Sequence, residues 1–123
     1  MIFVFGSNKS GIHGAGAAKH AHKNLGAVWG VGEGLTGECY ALPTKGKNIE
    51  FIPLTEVREA IDRFLQVATH TDEDYQVTQV GCGLGGFTSE QIAPFFRDAP
   101  DNCLFDEAWR EFLGDDKRYW GTF

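Results

Sequence analysis

Two glycine-rich segments are the parts of this sequence whose composition fits a chemical role. One reads GSNKSGIHGAGAA from Gly6 to Ala18, and the other reads GCGLGGF from Gly81 to Phe87. Because glycine loses more conformational freedom on folding than other residues, such clusters need a reason. One reason is a turn that requires a positive φ. The other is a backbone that must approach a phosphate, which N–H groups of a loop and a following helix can bind.

The second segment also matches a dinucleotide-binding fingerprint. Gly81, Gly83 and Gly86 have the spacing G-x-G-x-x-G. In dinucleotide-binding folds that fingerprint lies in the first turn between strand and helix and is followed by an acidic residue for the ribose. Here it follows the third main predicted strand, and no ribose carboxylate is evident. The spacing therefore does not favour an NAD-dependent dehydrogenase.

Other reactive side chains lie in or near these segments. Cys82 has no histidine near it in sequence, so we expect a packed thiol and not a nucleophile. His13 is either a ligand contact or a solvated loop side chain. His20 and His22 fall on the first predicted helix, where we expect them at the surface.

Four strand-like runs would position these segments. Ile2 to Phe5 is a continuous apolar run, which is typical of a strand buried on both faces in a parallel sheet. The others are CYALPT, with Pro43 at a strand end or edge, YQVTQV and NCLF. A short strand is also expected in the glycine-studded stretch before Glu38.

Helical patterns alternate with these strands. AGAAKHAHKNLG is rich in alanine and closes on Gly26, a favoured residue after a helix. LTEVREAIDRFLQVATHT has apolar residues at helical spacing and Thr55 as an expected cap. A third helix begins with Thr88 and Gln91 spaced as a capping box, and Pro94 should limit or kink it.

This alternation predicts one domain over residues 1–123 with a three-layer α/β/α fold and a mainly parallel or mixed central sheet. We expect the tail from about 107 to 123 to be peripheral, with its aromatic residues either packed on the fold or at an interface. In open α/β sheets ligands bind beyond the carboxyl ends of the strands. Both glycine-rich segments follow strands, so together they could hold a diphosphate without an arginine.

Composition excludes several other classes of function. The formal net charge is −6 with no basic run, which argues against a nucleic-acid polymer as partner. No run approaches the length of a membrane span, and the start MIFVFGSN indicates a strand and not a signal peptide. The three cysteines form no disulfide or zinc pattern. We therefore expect a cytoplasmic protein with no membrane partner, no metal and no cofactor.

Three ordered motifs resemble macro domains, the modules that bind ADP-ribose, and in particular the subgroup of terminal ADP-ribose glycohydrolases and their binding-only relatives. The motifs are GAGAA from Gly14, YALPTK ending at Lys45, and GCGL from Gly81. The resemblance runs from about Phe3 to Phe105. Small proteins of phages and prophages carry the same FGSN…HGAGAA opening.

The resemblance implies a set of ligand contacts in this chain. Ser7 and Asn8 would line the cleft near the distal ribose. The backbone of the first segment would contact the diphosphate or that ribose at Gly14, Ala15 and Gly16. The second segment would cover the diphosphate from the other side through Gly81, Cys82, Gly83, Leu84, Gly85 and Gly86, with Phe87 flanking the ligand.

The resemblance also implies a catalytic position. Lys45 matches the lysine that attacks the anomeric carbon of the ribose in the glycohydrolases, chemistry open to an amine of depressed pKa. Those enzymes have an acidic residue where this chain has Gly85, and Glu33 and Glu38 are the best substitutes for it. Macro domains also begin one strand earlier, with an aspartate that holds adenine.

Three functions follow as alternatives. The first is binding of ADP-ribose or a related NAD-derived nucleotide without turnover, used to capture a nucleotide or to recognise ADP-ribosylated targets. The second is an ADP-ribosyl hydrolase that uses Lys45 or an activated water. The third is a protein–protein module in which the glycines only form turns and the terminal aromatic residues bind the partner.

Overall fold

The structure is a computed structural model that describes all residues from Met1 to Phe123. It contains six strands and four α-helices. In chain order they are β1 Ile2–Asn8, α1 Gly16–Asn24, β2 Gly34–Thr36, β3 Cys39–Lys45, α2 Leu54–Thr69, β4 Tyr75–Val77, α3 Ser89–Ile92, β5 Cys103–Asp106, α4 Arg110–Leu113 and β6 Arg118–Gly121. Short 3₁₀ turns span Gly83–Gly85, Ala93–Phe96 and Glu107–Trp109.

The strands form one mixed sheet in the order β2-β3-β1-β4-β5-β6. Every neighbouring pair is parallel except β2 and β3, which form an antiparallel hairpin. The predicted α/β class with a mainly parallel or mixed sheet is therefore confirmed. None of the helices combines the length and the apolar character needed to cross a bilayer.

Side chains of β1 divide between the two faces of the sheet. Val4 belongs to the larger core cluster together with residues of α2 such as Ile61. Phe3 and Phe5 belong to a smaller cluster that includes Ala18 and other residues of α1. Alternate residues of a strand point to opposite faces, so helices cover both sides and the domain has three layers.

The helix starts show one wrong prediction and one confirmed one. Thr55 does not cap α2, because the helix begins at Leu54 with Pro53 in the capping position and no side-chain cap. The predicted capping box of α3 is present. Thr88 Oγ1 accepts from the backbone N–H of Gln91, and Gln91 Oε1 accepts from the backbone N–H of Thr88. Pro94 lacks the N–H that an α-helix would use, and the chain continues there as a 3₁₀ turn.

The strand β4 is shorter than its predicted run, and Pro43 lies near the end of β3, as expected. YQVTQV forms a strand only as far as Val77, and the next residue, Thr78, donates from both its amide and its hydroxyl to the Val4 carbonyl. Pro43 lies near the end of β3, beyond Ala41, the last residue that β2 pairs. A residue without an N–H is tolerated there, since no strand accepts from it on that side.

The tail contributes an edge strand that the sequence did not indicate. β6 pairs in parallel with β5, so Tyr119 lies beside Phe105. The indole of Trp120 donates to the Val77 carbonyl at 3.0 Å. The aromatic residues of the tail therefore pack back on the sheet, and Phe123 reaches the Phe3 ring, with 5.5 Å between the ring centroids.

Candidate functional site

The strand order places a cleft between β1 and β4. From β1 the chain passes through α1 to β3 on one side, and from β3 it passes through α2 to β4 on the other. The segment that leaves β1 leads to α1 on one face, and the segment that leaves β4 leads to α3, whose Ile92 packs on the other face, so the two segments diverge, which is the arrangement in which open α/β sheets bind ligands. The cleft has a volume of about 390 Å³, within the range of roughly 300–1,000 Å³ usual for small-molecule sites.

Ten of the fourteen predicted site residues line this cleft. They are Ser7, Asn8, Gly14, Ala15, Gly16, Lys45, Gly81, Cys82, Leu84 and Gly85. The other four, His13, Gly83, Gly86 and Phe87, are not among its lining residues.

Sequence reasoning missed the remaining lining residues. They are Gly6, Ile12, Ala17, Ala18, Thr44, Ile49, Thr78, Gln79, Val80 and Phe123. Thr44 and Gln79 could have been found, because each lies next to a strand end that was already assigned to the site. Phe123 carried no such signal, since only the path of β6 brings it here.

The first glycine-rich segment presents a row of free backbone donors. α1 begins at Gly16 with Ala15 in the capping position, and no side chain caps it. The five successive N–H groups from Gly14 to Ala18 donate to no group of the protein. Donors at the start of a helix also carry the positive end of its dipole, so this end of α1 favours an anion.

Ser7 and Asn8 hold the first segment in shape. The Ser7 hydroxyl donates to the Gly32 carbonyl, and both groups are buried. The Asn8 amide bridges to both backbone groups of Ile12, accepting from its N–H at 3.0 Å and donating to its carbonyl at 2.8 Å. These side chains therefore position the donors that follow them.

The second segment supplies further free donors, of which those of Leu84 and Gly85 belong to residues that line the cleft. The N–H groups of Gly83, Leu84 and Gly85 make no hydrogen bond within the protein. Gly81, Gly83 and Gly86 have φ values of +78°, +67° and +84°, so the turn itself requires three of the four glycines. The need for a positive φ therefore explains Gly81, Gly83 and Gly86, whereas the close approach of a ligand remains the explanation for Gly85.

Gly85 and Gly14 are the two glycines of the cleft that the fold does not require. Neither has a positive φ. A Cβ added at Gly14 would meet nothing within 4 Å, and one added at Gly85 would make only an ordinary contact of 3.6 Å with Thr44 Oγ1. In both places the missing side chain keeps room within the cleft.

Lys45 is the only charged side chain that lines the cleft. Its ammonium lies 5.2 Å from the centroid of the Phe51 ring, and it forms no ion pair. Glu33 is occupied by Arg63, with two bonds of 2.6 and 3.0 Å. Glu38 precedes the first residue of β3 while Lys45 is its last, so about 20 Å of strand separates them. Neither expected acid is placed to assist the lysine.

The surroundings of Cys82 and His13 indicate that both side chains have a structural role. Cys82 is half-buried, and burial raises the pKa of its thiol against the opposing effect of the Ser89 hydroxyl. His13 is 1% exposed and donates from Nε2 to the Val28 carbonyl at 3.1 Å. Burial lowers the pKa of His13, and the nearby His22 lowers it further. The imidazole of His13 therefore packs inside the protein as a neutral group, although the residue belongs to the first segment.

A chain of hydrogen bonds runs behind Gln79 and Phe123, the two lining residues that we call the far end of the cleft. The Trp109 indole donates to Ser89 Oγ at 3.0 Å, and Ser89 donates to Gln79 Oε1 at 3.4 Å. Gln79 Nε2 donates to Asp106 Oδ2 at 3.2 Å. The same oxygen accepts from the backbone N–H of Phe123 at 3.2 Å. The buried Asp106 thus joins one cleft side chain to the segment that carries another.

No group of three or more histidine, cysteine, aspartate and glutamate side chains is arranged to hold a metal ion. The three cysteines are free thiols. Comparison of the chain with protein-family models, curated proteins and solved structures found no match. The geometry of the cleft is therefore the basis for assigning a function.

Proposed function

We propose that this chain binds ADP-ribose, or a related nucleotide derived from NAD, in the cleft between its two glycine-rich segments. The observation that carries this proposal is the presence in one cleft of free backbone donors from both segments, Gly14 to Ala18 from the first and Leu84 and Gly85 from the second. A diphosphate presents acceptor oxygens in two directions, so it can use both sets of donors at once. A monophosphate could use only one of them fully.

The charge of the cleft suits such a ligand in spite of the acidic chain. No aspartate or glutamate side chain lines the cleft, and Lys45 is its only cation. The start of α1 adds a favourable interaction of roughly 0.3–1 kcal/mol with a nearby anion, or more where water is excluded. Backbone donors and one lysine can therefore bind a diphosphate within a protein of net charge −6.

Binding without turnover is the form of the proposal that the site favours. A lysine nucleophile needs a partner that moves protons, but Glu33 is held by Arg63 and does not line the cleft, and Glu38 precedes the first residue of β3 while Lys45 is its last. A hydrolase that uses Lys45 is the second candidate, because this amine lines the cleft and is free of any ion pair.

Calorimetric titration with ADP-ribose and with AMP, followed by chromatography of each mixture, tests the proposal. We expect saturable binding of ADP-ribose, at least about tenfold weaker binding of AMP, and recovery of unchanged ligand. A new product that disappears in Lys45→Ala, with affinity retained, would establish the hydrolase instead. No heat with either ligand at millimolar concentration, and no rise in melting temperature, would reject both forms and favour the protein–protein module.

A further inference from the structure

The amide of Gln79 has a fixed orientation in the cleft. The indole N–H of Trp109 can only donate, and the carboxylate of Asp106 can only accept. The bonds that join them through Ser89 must therefore all run in one direction. Gln79 uses one lone pair of Oε1 and one N–H of Nε2 in this chain, so Oε1 keeps one acceptor position and Nε2 keeps one donor position.

Phe123 is held close to that amide. Its backbone N–H and Gln79 Nε2 each lie 3.2 Å from Asp106 Oδ2, and Thr122 donates to the same oxygen at 3.2 Å. The two nitrogens are therefore no further apart than twice that distance. The ring also packs at 5.3 Å from the His20 ring centroid, yet Phe123 remains 58% exposed while it lines the cleft.

We propose that Phe123 and Gln79 form the base subsite of this cleft and that the subsite selects a 6-aminopurine, an inference that rests on the proposed nucleotide binding. Phe123 offers an aromatic face on which a base can stack. Gln79 offers an acceptor for the exocyclic amino group and a donor for the neighbouring ring nitrogen, the pairing by which this side chain reads adenine.

The fixed amide explains why the subsite would discriminate. A 6-oxopurine places an oxygen where adenine has its amino group, so Gln79 Oε1 would face another acceptor. A freely rotating amide could turn over to suit the oxo base, but here that would break the bonds to both Ser89 and Asp106. Asp106 is thus a positioning residue for the subsite.

The test compares ADP-ribose with its hypoxanthine counterpart, in which an oxygen replaces the 6-amino group. We expect the unaltered protein to bind ADP-ribose at least about tenfold more tightly. Gln79→Ala should bring the two affinities to within about twofold of each other. Phe123→Ala should weaken both ligands by about tenfold and leave their ratio unchanged.

Leu35→Ala provides the matched control, because Leu35 is 55% exposed and does not line the cleft. It should change neither affinity, and the melting temperature of each variant shows whether it has folded. Equal affinities of the unaltered protein for the two ligands would overturn the base subsite while leaving the proposed function intact. Failure to bind either ligand would instead contradict the proposed function.

Discussion

Val4 in β1 and Val77 in β4 are direct partners in the parallel sheet. The pairing ends there with the last residue of β4, whereas β1 continues to Asn8, and the glycine-rich segments that follow the two strands line one cleft. Both valines are fully buried in the larger core cluster, so the core fixes how the two strands that carry these segments lie against each other.

Gly14→Val should separate the use of the cleft from the stability of the fold. The Cβ added at this position has no neighbour within 4 Å, and the backbone has no positive φ that a side chain would strain, so we expect the free energy of unfolding to stay within about 0.5 kcal/mol. The same side chain would occupy space beside the free donors. Affinity for ADP-ribose, measured by calorimetry, should fall at least about tenfold.

Gly86→Ala is the reciprocal control for Gly14→Val. Its φ of +84° lies in the left-handed region, and the new Cβ would lie 2.7 Å from the exposed Phe51 ring. We expect a loss of about 1–2 kcal/mol in urea unfolding, with the affinity unchanged because Gly86 does not line the cleft. If Gly14→Val bound ADP-ribose normally, the ligand would have to lie elsewhere.

Asp106→Ala should be strongly destabilising. The buried carboxylate accepts from four donors, at Gln79, Ala108, Thr122 and Phe123. Without it these donors lose a charged acceptor in a buried setting, and we expect a loss of about 2–4 kcal/mol in urea unfolding. The control substitution Asp72→Ala, at an exposed position, should change the free energy of unfolding by less than about 0.5 kcal/mol. A similarly small effect at Asp106 would show that the tail is not anchored by this residue.

The sequence carried most of the information on the sheet because local patterns reflected burial. The apolar run at Ile2 to Phe5 indicated a strand buried on both faces, and the structure places it at the centre of the sheet. β6 was missed because a four-residue strand has too little pattern of its own. Its place depends on pairing with β5 and on the Trp120 indole, which are contacts between distant parts of the chain.

The walls of the cleft could be predicted more fully than its far end. Glycine clusters after strands indicated both donor rows, because glycine content is a local signal. His13 was considered as a ligand contact, but the loop that contains Val28 covers it. The sequence alone marks Gln79 only as one residue of an alternating strand. Its bonds to Ser89 and Asp106 come from segments 10 and 27 residues further along the chain.

Cys82 should react slowly with alkylating reagents at neutral pH. Burial raises the pKa of its thiol, so the thiolate fraction at pH 7 is small. Labelling by iodoacetamide, followed by mass spectrometry, should accelerate steadily as the pH rises from 7 to 9. Cys39 and Cys103 should label still more slowly, because burial raises their pKa values to about 11 and about 12. ADP-ribose should protect Cys82, and rapid labelling at pH 7 would contradict the burial described here.

His13 should make the stability of the fold sensitive to mild acid. Its pKa in the folded protein is below the ordinary value of 6.5, so the unfolded chain takes up a proton more readily. The free energy of unfolding should therefore be at its full value above pH 6.5 and should fall as the pH drops toward the lowered pKa. Urea midpoints at pH 7.5 and pH 5.5 measure the difference. His13→Gln should reduce it. A midpoint that did not move between these pH values in the unaltered protein would show that the buried imidazole accepts a proton without cost.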